Sequence, residues 1–234
     1  MHVPFWLGFA SLAPLLLAQA VHTRRTTVRL PDGHGPAQGQ WGEGACSKRL
    51  LVIGESTAAS VGVEAHQEGL ASQLARLRHQ QSGETVGWHT LGVNGIRMDA
   101  LQKTLAATPT PQADAIFISM GVNDTTGLTP RKHYASALAR LITHLQSQQP
   151  GAPVYLLAVP PMDRFTALPS PLRQMLGWRA RLLNQQHQSL ARSSQNLFSL
   201  YYPPLDDPAL LAQDGYHPGA RGYQAMAEAI LAQL

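Results

Sequence analysis

Lys48-Arg49-Leu50-Leu51-Val52-Ile53-Gly54-Glu55-Ser56 is the stretch that decides the fold. Four consecutive apolar residues, Leu50 to Ile53, lie between two cations and a glycine. An apolar run this short and unbroken reads as a parallel strand covered on both faces. Gly54 permits a sharp turn where the strand stops, because it carries no Cβ. Ser56 then stands just past the strand's carboxyl end, where open α/β sheets place their ligands. Taken alone, such a serine is better explained as the cap of a helical turn.

Downstream, strand and helix alternate. The pattern predicts a helix over 68–81, a strand over 85–91 and a helix over 97–107, ended by Pro109 and Pro111. A strand over 115–119 follows, then a helix from Thr129-Pro130 to about 149 and a strand over 154–159. A helix over 172–193, a strand over 197–201 and a helix from Pro218 onward complete the chain. This alternation predicts an α/β fold of three layers, α/β/α, around a five-stranded parallel sheet. Strand direction alone then brings Ser56, the turn Gly92-Val93-Asn94-Gly95 and Asn123 to one sheet edge.

The 234 residues suffice for one well-buried domain, and charged content is low at 14%. Net charge is +4, but five Lys/Arg against Asp32 and Glu43 put +3 of it before residue 50. The basic balance therefore belongs to a tail, and no clustered basic face with stacking aromatics argues for a nucleic-acid partner. Cys46 is the one cysteine, so no intrachain disulfide forms.

Residues 3–20 are almost wholly apolar, and Ala18-Gln19-Ala20 fits a signal-peptidase site. The start lacks the cations of a signal n-region, and Arg24, Arg25 and Arg29 follow the apolar stretch instead. Residues 1–20 are thus expected to be a signal or membrane anchor, with the protein membrane-associated or exported. Residues 21–47, basic and then rich in Gly and Pro, read as a linker before a domain over 48–234.

Asp214-Gly215-Tyr216-His217-Pro218 adds a candidate base. A carboxylate three residues before an imidazole can fix its tautomer and leave the other nitrogen free to take a proton. A serine hydroxyl needs such a base to become a nucleophile. Acyl transfer also needs donors for the oxyanion, and the backbone N–H groups of Ser56 and Gly95 and the Asn123 amide are candidates. Each residue has a plainer reading, as a cap, a left-handed turn or an Asx turn.

Together, Gly-Glu-Ser at 54–56, Val-Asn-Gly at 93–95, Gly-Val-Asn-Asp at 121–124 and Asp-Gly-Tyr-His at 214–217 resemble the blocks of the SGNH hydrolases, also called GDSL esterases and lipases. The resemblance covers 48–234. It implies a flavodoxin-like fold, Ser56 as nucleophile, His217 as general base and acid, and Asp214 as its orienting partner. Ser56, Gly95 and Asn123 are implied as the oxyanion hole. Glu55 departs from the aspartate usual in the family. Asp124 reads as a loop brace.

The implied reaction is hydrolysis of a carboxylic ester through an acyl-enzyme, with no metal or organic cofactor. Apolar residues within 160–178, Phe165 and Leu168 among them, are candidates for receiving an acyl chain. They point to lipid-like esters, lysophospholipids included, or to acyl thioesters. Deacetylation of a carbohydrate is the alternative substrate class. A nucleotide-binding module is disfavoured, since neither phosphate-binding glycine motif follows any strand. A catalytically silent binding module would have no use for every polar group the reaction requires.

Overall fold

The structure is a computed structural model and describes residues 3–107, 109–202 and 207–234. The chain runs α1 (Val3–Thr26), β1 (Gln38–Trp41), β2 (Lys48–Gly54), α2 (Leu70–Ser82), β3 (Val86–Gly92) and α3 (Met98–Ala106). It continues through β4 (Ala115–Ser119), α4 (Val122–Thr126), α5 (Arg131–Gln148), β5 (Val154–Leu157), α6 (Leu172–Ser193), β6 (Leu197–Leu200) and α7 (Ala220–Leu231). The sheet order is β1-β3-β2-β4-β5-β6.

The five expected parallel strands are present, but the sheet has six. The additional strand, β1, lies within the stretch read as a linker and pairs antiparallel with β3, Gln38 opposite His89 and Trp41 opposite Val86. Its sequence, Gln-Gly-Gln-Trp, has no apolar run because it is an edge strand whose residues stay largely exposed. Backbone pairing holds it, together with the Trp41 indole N–H donating to Ser72 Oγ at 3.0 Å. Gly39 allows it to lie flat on Trp88, whose ring a Cβ would meet at 2.9 Å.

β2 is the central strand, and its side chains alternate between two cores. Leu51 and Ile53 pack with α3, α5 and α6, while Leu50 and Val52 pack with α2 and α7. Full burial on both faces is what an unbroken apolar run requires. Counted without β1, the parallel strands stand in the order 2-1-3-4-5, with the chain reversing direction across the sheet between β2 and β4. Ligands bind at that switch point in sheets of this order. Ser56 follows β2 and Asn123 follows β4. The β2 end fits so closely that a Cβ on Gly54 would meet the Ser119 carbonyl at 2.0 Å.

α1 lies against α6. The Phe5 ring meets the Trp178 ring edge-on at 5.6 Å, and Phe5 and Trp6 cover the Arg179 guanidinium at 5.5 and 5.9 Å. Arg179 is buried beneath them and donates to the Thr129 carbonyl. Near the other end of α1, the Gln19 amide donates to the Ser170 carbonyl and accepts from Leu172 N–H at 3.0 Å. Phe5 and Leu16 are buried, whereas Leu7, Leu17 and Val21 are exposed.

Candidate active site

The loop entering α7 carries Asp214 and His217. His217 Nδ1–H donates to Asp214 Oδ2 at 2.5 Å, and His217 Nε2 lies 2.9 Å from Ser56 Oγ. The other Asp214 oxygen accepts the backbone N–H groups of Tyr216 and His217, each at 3.0 Å. Burial alone would raise the Asp214 pKa, but these bonds outweigh it and hold the carboxyl below its ordinary value. A charged Asp214 fixes the proton on Nδ1 and leaves Nε2 free to accept from the serine. α7 starts at Ala220, capped by Gly219, so His217 stands two residues before the cap position predicted for it. Gly62 lets the chain beyond Ser56 approach this loop, since a Cβ there would lie 2.3 Å from the Pro218 carbonyl.

Ser56 and Gly95 both line one cleft. Among the described residues, neither Ser56 N–H nor Gly95 N–H has an acceptor. Gly95 adopts φ 80°, with open space where a Cβ would stand. Asn123 is placed differently from expectation. Its side-chain amide donates both hydrogens within the protein, to Glu55 Oε2 at 2.5 Å and to the Ile96 carbonyl at 3.1 Å. It can serve an oxyanion only by exchanging one of these, and the longer bond to Ile96 is the one to yield. Asp124 Oδ2 accepts Met98 N–H at 2.9 Å, so this carboxylate braces the start of α3.

Around these groups is a cleft of about 670 Å³, lined by Ser56, Gly95, Asn123 and His217 together with Met162, Phe165, Leu168 and Leu176. Phe165 packs edge-on against Tyr216 at 5.9 Å, and Tyr216 Oη–H donates to the Ala167 carbonyl at 3.1 Å. Tyr216 thus ties the apolar wall to the histidine loop. Its position inside the Asp-Gly-Tyr-His block was the available signal. The end of α1 and the chain after it, residues 23–24 and 27–30, also line the cleft, which hydropathy could not show.

Residues 52–225 match the model of the GDSL-like lipase/acylhydrolase family. The chain belongs to this family. It is similar to a GDSL-like esterase of Mycobacterium tuberculosis, 27% identical over 239 residues, covering 94% of this chain and 76% of the relative. Among solved structures, a lipase from a goat rumen metagenome superposes with a TM-score of 0.62 at 18% identity, covering 80% of this chain and 97% of that one. An acetyl xylan esterase from Geobacillus stearothermophilus gives 0.56 at 18% identity, with 80% and 94% covered. The protein is a carboxylic ester hydrolase of the GDSL type.

Within this GDSL-type site, Glu55 does more than support a turn. Buried to 2% exposure, its carboxylate accepts Val122 N–H at 2.7 Å, Asn123 N–H at 2.9 Å and the Asn123 side-chain amide. It therefore caps α4 and aims Asn123 at once. Burial pushes the Glu55 pKa up from 4.5 to about 7, against the pull of the Asn123 and Val122 N–H groups. Between those values the folded protein holds a proton that the unfolded chain releases. The stabilisation linked to that proton is complete below pH 4.5 and is lost as pH rises through about 7, an effect of about 3 kcal/mol. Thermal melts from pH 4.5 to 8 should therefore show wild type losing stability relative to Glu55→Gln. A difference that runs the other way would mean that the hydrogen bonds, not burial, set the protonation of Glu55.

Proposed function

We propose that the protein cleaves lipid-like carboxylic esters through an acyl-enzyme on Ser56. The observation that carries the mechanism is the continuous chain Asp214–His217–Ser56, with both bonds within hydrogen-bond range. His217 takes the proton as Ser56 Oγ attacks the carbonyl carbon, then delivers it to the leaving alcohol. Water attacks the acyl-enzyme with His217 again as base, releasing the acid. The N–H groups of Ser56 and Gly95 stabilise the developing oxyanion, with Asn123 joining as the charge forms.

The lipid preference rests on the apolar wall of Met162, Phe165, Leu168 and Leu176. Phe165→Ala and Leu168→Ala should lower kcat/KM on a long-chain ester about tenfold more than on an acetyl ester, since about 0.8 kcal/mol accompanies each buried methylene. Equal losses on both would favour the carbohydrate deacetylase reading, which the likeness to an acetyl xylan esterase keeps in view.

α1 is long and apolar enough to cross a membrane, a property that signal sequences share. Its packing on Trp178 and Arg179 supports a retained helix lying along the domain, its exposed leucines toward lipid. A fluorophosphonate tests both parts of the reading. One adduct mapping to Ser56 is expected, on a chain that still carries α1. A folded protein that neither labels nor hydrolyses an activated ester would overturn the hydrolase mechanism, and a mature N-terminus at Val21 would overturn retention.

A further inference from the structure

We propose that Arg24 and Arg29 form an anion subsite of the catalytic cleft, selecting acyl esters whose alcohol carries a phosphate. Both arginines line the cleft that holds Ser56 and His217, while Arg25, between them in sequence, does not. Among the described residues, the carboxylates lining that cleft are Glu55 and Asp214, and each is committed. Glu55 accepts three N–H groups, and Asp214 accepts the imidazole and two backbone N–H groups. Among the described residues, neither Arg24 nor Arg29 has a carboxylate within ion-pair distance. The cleft is thus bordered by two arginines with no carboxylate partner among the described residues, and uncompensated charge of one sign concentrates ligands of the other.

Arg24 also suits the C-terminal turn of α1, where a cation meets the helix dipole. Arg29 lies beyond the helix, so that explanation does not reach it. What holds the segment in place is specific: the two bonds of Gln19 to 170–172 fix α1 just before these residues. The inference rests on the ester hydrolase reading above. If the wall around Phe165 takes the acyl chain, the group left to meet the arginines is the alcohol. Guanidinium pairs a phosphate through two parallel N–H donors, and two arginines border this cleft.

The test compares a monoacylglycerol with the acylglycerol 3-phosphate of the same chain, which differ only in the phosphate. Wild type should favour the phosphate ester at least tenfold in kcat/KM, mostly through KM, and lose the preference as ionic strength rises. Arg24→Gln with Arg29→Gln should reduce the ratio at least tenfold, whereas Arg25→Gln should leave it as in wild type. A hemisuccinate ester, whose charge is a carboxylate, separates a phosphate site from general anion attraction: equal preference for it overturns the phosphate assignment. Fluorophosphonate labelling of Ser56 without any phosphate preference, or a preference that survives the double substitution, overturns the subsite alone. Absence of both labelling and neutral ester hydrolysis overturns the hydrolase mechanism and the subsite with it.

Discussion

Ser56→Ala is expected to lower kcat on an activated ester by about 10⁴–10⁶-fold and to abolish fluorophosphonate labelling, with the fold intact. The size follows from what remains. Without Oγ there is no acyl-enzyme, and His217 must act on water held by the rest of the site. The unoccupied N–H groups of Ser56 and Gly95 stay in place, because alanine keeps the backbone donor. Residual turnover therefore measures oxyanion stabilisation and binding together with whatever His217 achieves on water. His217→Ala should cost a similar factor, and the double variant little more, since nucleophile and base act as one unit. Multiplying losses would show that Ser56 and His217 work in separate steps, contrary to their 2.9 Å contact. The measurement is single-turnover kinetics on a p-nitrophenyl ester, with circular dichroism confirming the fold.

The residues of that unit were legible in the sequence because sheet topology does their positioning. Leu50 to Ile53 and Ala115 to Ser119 announce buried strands through unbroken apolar runs, and parallel direction then brings Ser56 and Asn123 to one edge. β1 escaped notice for the opposite reason. Gln38–Trp41 is stabilised by backbone pairing at an exposed edge, so no side-chain pattern marks it. α1 was legible as an apolar helix but not as part of the cleft. Hydropathy cannot separate a leader from a helix that buries only Phe5 and Leu16 and clamps α6 through Gln19. Tyr216 and Glu55 were seen as members of motifs, yet their partners, Ala167 and the start of α4, lie 49 and 67 residues away. Contacts at such separations follow from packing, and local pattern carries no trace of them.

Glu55 supplies the second large effect. Glu55→Ala should lower kcat about 10²–10³-fold, the cost of losing one oxyanion donor, although the side chain touches no substrate. It acts through Asn123, whose amide it holds at 2.5 Å, and through the α4 N–H groups it caps. Removal leaves buried donors unpaired and leaves the Asn123 amide held only by its bond to the Ile96 carbonyl, no longer aimed by Glu55. Two readouts separate this positioning role from simple loss of structure. Asn123→Ala should cost a similar factor, and the Glu55→Ala/Asn123→Ala pair should fall far short of the product of the two, since both variants disable one donor. Glu55→Asp should recover most of the rate, because a shorter carboxylate can still reach part of the α4 terminus, and Ser56 labelling should persist. Multiplicative losses in the double variant would instead mean that Glu55 serves the fold alone and that the oxyanion is held by the two backbone N–H groups, with Asn123 locked in its internal bonds throughout the reaction.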